Sequence, residues 1–440
     1  MSWLQIARLG LVQACIGAVV VLMTATMNRV MVVELALPAS VPGTLVALHF
    51  AVQLYLRPRL GHGSDTARAR TPWIIGGMLV LALGAIGVAA SVALMASQPW
   101  LGIALAAIAF VVLGAGVSAA GTPLLALISE HAAPSQRAGA AAMTWILMIV
   151  GFIITTAATG SLLDPFGFER LFLITVGVGA IALLITALTL FRLEPRLVAR
   201  VAPEPVLASD RGTAFRDAVR QVWSEPVARS FTIFVFVAML AYSAQDLILE
   251  PFGGIAFGLS AGETTKLAGM QHGGVLIGMI LTAIIGARVG SLRIWAAGGC
   301  AASAATFVAL VMSPMLASVE VYRIIVFLLG LSNGVFAIGA IGSMMALTGD
   351  AKDGRAGLRL GVFGAAQAVA YGLGVSLGGI GVDVAQAALG SPLRGYAAVF
   401  SVEAVLFSVS AVLAYHSASG DRAGAVVRTR GDLLSAVVPN

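Results

Sequence analysis

Runs of about 20 apolar residues recur along this chain, and a run of that length crosses the hydrocarbon core of a bilayer. Twelve lie between charged or proline-rich breaks, near 9–33, 43–57, 73–96, 101–128, 139–162, 170–191, 230–249, 264–287, 292–312, 321–347, 357–381 and 395–415. In lipid a backbone must satisfy its own polar groups, so such runs fold as helices. The expectation is an all-α integral membrane protein of 12 transmembrane helices. Charge usage agrees: 10% of the residues are charged, against about a quarter in soluble domains. The first run follows Arg8 and continues past residue 25, too long for a signal peptide, and reads as a retained span. Cys15 and Cys300 sit in separate apolar runs, which points away from a disulfide scaffold or a metal cluster.

Basic residues orient the bundle. Alternating connections place all but five of the 26 Lys and Arg residues on the face that holds both termini; the exceptions are Arg29, Arg170, Lys266, Arg323 and Arg394. The positive-inside rule makes that face cytoplasmic. With so few charges in total, the formal net charge of +6 reads as orientation, not as a nucleic-acid surface. The chain divides into a first six-helix half over 1–192, a cytoplasmic linker over 193–229, a second half over 230–416 and a cytoplasmic tail over 417–440. In the linker, Phe215, Val219, Val222 and Trp223 recur at helical spacing with Arg216 and Arg220 between them. That pattern fits a short amphipathic helix lying on the membrane, or a solvated linker helix.

The halves repeat one another. Arg137-Ala138-Gly139 opens the fifth span and Arg355-Ala356-Gly357 the eleventh, 218 positions later. Asp164 and Asp383 close the same two spans. Asn28, Arg29 and Glu34, late in the first span, correspond to Gln245, Asp246 and Glu250, late in the seventh. Two parallel six-helix halves are the organisation of the major facilitator superfamily. The loop after the second span agrees. Gly61, Asp65, Arg68 and Arg70 resemble that superfamily's Gly-x-x-x-Asp motif with trailing basic residues: the glycine allows close helix approach, the acid can cap a helix end, and the arginines suit an anionic leaflet.

Ionisable groups within spans are costly and therefore informative. Arg29, Glu34, Asp246 and Glu250 form a candidate outer cluster, with Arg29 and Asp246 able to pair between the halves; the alternative is that they snorkel to water. The acids noted within spans fall toward the outer ends, which speaks against a mid-membrane proton carrier. His49 and His272 are the two histidines well inside spans. Either could ligate a chlorin magnesium through a neutral imidazole, or hydrogen-bond between helices. Gln13, Gln53, Asn333 and Gln367 could line a cavity or bridge helices. There is no nucleotide-binding loop and no pair of Asp-rich motifs that would hold magnesium diphosphate for prenyl transfer, so no enzyme is expected.

Several stretches together resemble the PucC/LhaA family of photosynthetic bacteria, a branch of the major facilitator superfamily. They are Thr26-Met-Asn28-Arg29-Val-Met-Val-Val-Glu34-Leu, Gly61-His-Gly-Ser-Asp65 and Arg70-Thr-Pro72-Trp-Ile, the first being the most specific. The similarity spans nearly all twelve helices; the loop between the second and third is shorter than in the family pattern. The resemblance implies an assembly factor for light-harvesting antenna complexes, delivering or chaperoning bacteriochlorophyll as antenna polypeptides insert. Bacteriochlorophyll would be client or ligand. Partners would be antenna polypeptides, bacteriochlorophyll synthase, the insertion machinery and the bilayer of the inner, intracytoplasmic photosynthetic membrane. A secondary transporter of a small amphiphilic solute is the alternative.

Overall fold

The computed structural model of the chain describes residues 1–66, 69–133, 136–193, 220, 223–286, 289, 291–349 and 356–437. Twelve long helices run through them: α1 (Trp3–Glu34), α2 (Ser40–Thr66), α3 (Thr71–Met95), α4 (Pro99–His131), α5 (Arg137–Leu162), α6 (Phe168–Leu190), α7 (Pro226–Phe257), α8 (Ala261–Ile285), α9 (Leu292–Leu316), α10 (Val319–Gly349), α11 (Ala356–Leu389) and α12 (Pro392–Val437). No strand occurs among the described residues.

Eleven of these helices are long and apolar enough to cross a membrane, and α2 is the exception. It has the length, 27 residues, but carries His49, Gln53, Arg57 and Arg59. It packs against α4 and α11, and His49 and Gln53 are buried within the protein instead of facing lipid, whereas Arg57 and Arg59 are exposed. The apolar part of α12 ends at His416; its helix continues to Val437, through the segment read as a tail. The linker pattern from Phe215 to Trp223 lies almost wholly outside the described residues.

Each half uses the same pairings. In the first, α1 packs on α5 and α6, α3 on α4 and α6, and α2 on α4; six helices later, α7 packs on α11 and α12, α9 on α10 and α12, and α8 on α10. The halves meet through α2 against α11 and α5 against α8. This is the major-facilitator-type bundle expected of a parallel repeat. Glycine permits the tightest crossings: a Cβ at Gly116 of α4 would strike the Leu81 backbone of α3, and one at Gly330 of α10 the Gln271 backbone of α8. Without a hydrophobic force between helices in lipid, such close backbone approach supplies much of the packing energy. The α1–α2, α3–α4, α5–α6, α7–α8, α9–α10 and α11–α12 connections share one end of the bundle, the distal end.

Candidate functional site between the halves

Near its distal end α1 departs from α-geometry twice. Single π turns at Leu22–Thr26 and Val30–Glu34 bracket Met27–Arg29, and π turns concentrate at functional sites. Three polar residues in and between these turns engage the second half. Thr26 Oγ1 lies 3.2 Å from Thr265 Oγ1 of α8, Asn28 Nδ2 donates to the Leu247 carbonyl of α7, and Arg29 Nη2 donates to the Leu259 carbonyl at 2.8 Å. Arg29 Nη1 pairs with Glu34. This corrects the pairing suggested by the repeat. Asp246 accepts instead from the Tyr371 hydroxyl of α11, and the α7 acid within electrostatic range of Arg29 is Glu250. One helical turn, about 6 Å of rise, separates the two acids. Nor does Arg29 snorkel, being 2% exposed. Its Nε and both carboxylate oxygens of Glu250 have no hydrogen-bond partner among the described residues. One guanidinium thus faces two carboxylates and is bonded to one.

The repeated acids Asp164 and Asp383 close the distal end. Asp164, after α5, accepts from Ser260 Oγ at 2.8 Å and from Gly262 N at 3.0 Å, at the start of α8. Asp383, in the last turns of α11, accepts from Ala39 N and Ser40 N at 2.8 Å each, at the start of α2. Each carboxylate therefore caps the N-terminus of a helix in the opposite half, where unpaired N–H groups and the helix dipole favour an anion.

The two histidines differ in what their nitrogens do. On α2, Arg57 Nη2 donates to Gln53 Oε1 at 2.5 Å, and Gln53 Nε2 lies 2.6 Å from His49 Nε2. A guanidinium only donates, so it fixes the amide orientation. The amide N–H then faces the ring, and His49 Nε2 must accept, leaving the proton on Nδ1. That lone pair is occupied, and His49 Nδ1 has no hydrogen-bond partner. On α8, His272 Nδ1 lies 2.7 Å from the Ala268 carbonyl and donates to it. Its Nε2 therefore carries the lone pair, the orientation used by metal-ligating histidines. Phe152 of α5 meets the His272 ring edge-on at 4.8 Å, at the half-to-half interface. The structure does not bring the two histidines together: His272 meets α5, whereas the His49 carbonyl faces Gly114 of α4 and its neighbour Phe50 packs on Tyr371 of α11 at 4.7 Å.

In the Gly61–Arg70 loop, Arg70 is buried and does not reach toward lipid headgroups. Its guanidinium pairs with Glu130 at the end of α4 and donates to Ser64 Oγ at 2.9 Å, pinning α2, α3 and α4 together. For Gly61 and Asp65 only the helical backbone is described, and Arg68 lies outside the described residues. Asn333 bridges helices: it donates to Gln245 Oε1 at 3.0 Å and accepts from Ser303 at 2.9 Å.

Sequence reasoning missed Glu130, Tyr371 and above all Glu403. Glu403 falls near the middle of the apolar part of α12, so it overturns the expectation that acids within spans lie toward the outer ends. It is 1% exposed, and neither carboxylate oxygen has a partner among the described residues. A lone Glu in a 25-residue apolar run was the signal available.

Comparison with known proteins agrees with this architecture. The family model described as PUCC protein matches residues 26–419. A Rhodobacter capsulatus protein named Bacteriochlorophyll synthase 44.5 kDa chain is 46% identical over 94% of this chain and 95% of its own. Protein PucC of Cereibacter sphaeroides is 32% identical, over 91% and 89%. Among solved structures, a bacterial homolog to the human lysosomal transporter Spinster, in an inward-facing and unoccupied conformation, matches with a TM-score of 0.72 at 14% identity, covering 95% of this chain and 98% of that one. A bacterial homologue of the peptide transporters PepT1 and PepT2 gives 0.67 at 16%, covering 95% and 98%. The structural likenesses carry the fold alone, whereas the match along nearly the whole sequence carries the family: this multi-pass membrane protein belongs to the PUCC protein family.

Proposed function

We propose that the protein is an assembly factor for photosynthetic light-harvesting antenna complexes, delivering or chaperoning bacteriochlorophyll while antenna polypeptides insert, and that it is not an enzyme. The observation that carries this reading is family membership over 26–419, joined by 46% identity to a chain whose name ties it to bacteriochlorophyll. The geometry supports a pigment contact at His272. Its Nδ1 is held by the Ala268 carbonyl, its Nε2 lone pair is available, and Ile149, Phe152, Val275 and Met279 form an apolar wall between α5 and α8. A chlorin offers one axial magnesium position and a broad apolar face, which such a site suits. The protein would act in the intracytoplasmic photosynthetic membrane with both termini in the cytoplasm.

The test is the absorption spectrum of the protein purified in mild detergent from photosynthetically grown cells, beside the antenna spectrum of a deletion strain. Co-purifying bacteriochlorophyll and a strain that makes pigment but lacks assembled antenna are expected. Normal antenna in the deletion strain overturns the reading. A second reading, a secondary transporter of a small amphiphile, is favoured by the mid-span Glu403. It requires solute movement into proteoliposomes, which the assembly role does not.

A further inference from the structure

We propose that the second half contains a proton-binding site in which Glu403 of α12 holds the proton and Asp246 of α7, bonded by the Tyr371 hydroxyl of α11, is the neighbouring anion. The proposal is independent of the pigment role. Glu403 shares the buried face of α12 with Phe400 and Phe407. Those rings pack on Phe252, Phe307 and Phe336, so the carboxyl group sits in aromatic surroundings. Both its oxygens lack a hydrogen-bond partner among the described residues, and its electrostatic neighbour is another acid, Asp246. An ionised carboxylate there would have neither a counter-charge nor a donor, and would face a like charge; a neutral acid avoids both charge penalties and keeps only the smaller cost of unbonded polar atoms.

The surroundings from each packed helix bear this out. From α7 come Tyr242, Asp246 and, one turn on, Glu250, whose electrostatic neighbour is Arg29; from α11 comes Tyr371, whose hydroxyl donates to Asp246 and whose ring lies 6.2 Å from that of Tyr242. The titratable groups on α9 are Cys300 and, at its end, Arg293; α11 adds Arg359 and Asp383 near its two ends, and α12 itself adds Arg394 and Tyr396 distally and Tyr415 and His416 at the other end of its apolar part. Among the described residues no Lys, Arg or His is ion-paired with Glu403 or Asp246. The donor that exists, Tyr371, serves Asp246, which assigns the charge to Asp246 and the proton to Glu403. Transfer of that proton to Asp246 leaves Glu403 as the anion and the pair at a single negative charge. Tyr371 also packs on Phe50 of α2 across the interface, so parting α2 from α11 would open the pair to the cleft.

Infrared spectroscopy of the full-length protein in nanodiscs tests the site. A C=O stretch of a protonated carboxyl group without hydrogen bonds is expected at neutral pH, lost in Glu403→Gln and retained in Asp246→Asn. Because an amide mimics the neutral acid, Glu403→Gln should also keep wild-type thermal stability. A spectrum unchanged by Glu403→Gln, or a Glu403 that gives only carboxylate bands across neutral pH or binds sodium in place of a proton, overturns the proposal.

Discussion

Removing the charge from Asp164 and Asp383 together should open the distal end of the bundle. Each carboxylate accepts two hydrogen bonds, at 2.8 and 3.0 Å for Asp164 and at 2.8 Å twice for Asp383. A charge-assisted bond contributes about 1.5–3 kcal/mol when partly buried, and an anion at a helix N-terminus about 0.3–1 kcal/mol when exposed. Asp164 is exposed and Asp383 half-buried, so screening lowers the first. Asparagine keeps one acceptor oxygen in each case. The loss is then about 1 kcal/mol at Asp164 and about 2 kcal/mol at Asp383, about 3 kcal/mol together, or roughly 100-fold in the closed-to-open ratio. Spin labels on Gln98→Cys and Ala388→Cys, both exposed at the distal end in opposite halves, would report it by pulsed dipolar spectroscopy; native Cys15 and Cys300 are buried and stay unlabelled. Wild-type protein should give one short distance, and Asp164→Asn/Asp383→Asn a second, longer population. An unchanged distance distribution with unchanged label accessibility would refute the capping argument.

Other outcomes follow from the same contacts. Arg29→Gln should leave buried carboxylates unpaired at a cost of about 3–5 kcal/mol, read as a lowered melting temperature in detergent, and exchanging the charges of Arg29 and Asp246 should rescue nothing, since the two are not partners; rescue by that exchange would restore the original pairing. His272→Ala should reduce pigment recovered per protein with little change in stability, whereas His49→Ala should leave pigment unchanged and cost about 1 kcal/mol for its bond to Gln53; the reverse pattern in absorbance and melting would move the pigment site to α2. Reporter fusions near 65, 137, 210, 352 and 430 should be cytoplasmic and those near 98, 164, 260 and 390 periplasmic; a periplasmic signal at 210 would overturn the orientation.

The bundle was legible because membrane spans announce themselves one helix at a time. Length and apolarity of each run depend on the bilayer, not on neighbours. The second helix shows the limit of that reasoning: its apolar run covers 43–57, but the helix is Ser40–Thr66, and its polar residues bond along the helix itself, Arg57 to Gln53 and Gln53 to His49. The repeat was legible for a similar reason. Asp164 and Asp383 stand at equivalent places, and the structure gives both the same task on a helix of the other half.

Partners could not be read this way. The repeat aligns Arg29 with Asp246, yet α1 turns Thr26, Asn28 and Arg29 to the opposite half while α7 turns Gln245 and Asp246 toward α10 and α11 of its own. Glu403 shows the same gap, since a single acid in an apolar run does not disclose what faces it. Span count, the sidedness bias, the doubled architecture and the family string around Arg29 are all written in residue order, because each depends on local composition or on spacing along the chain. Which carboxylate meets Arg29, which imidazole nitrogen is left with its lone pair, and which acid is buried without a donor were decided only when twelve helices packed. A hydrogen bond is satisfied over about 3 Å, and a helix rotated by one π turn points the same side chain at a different neighbour.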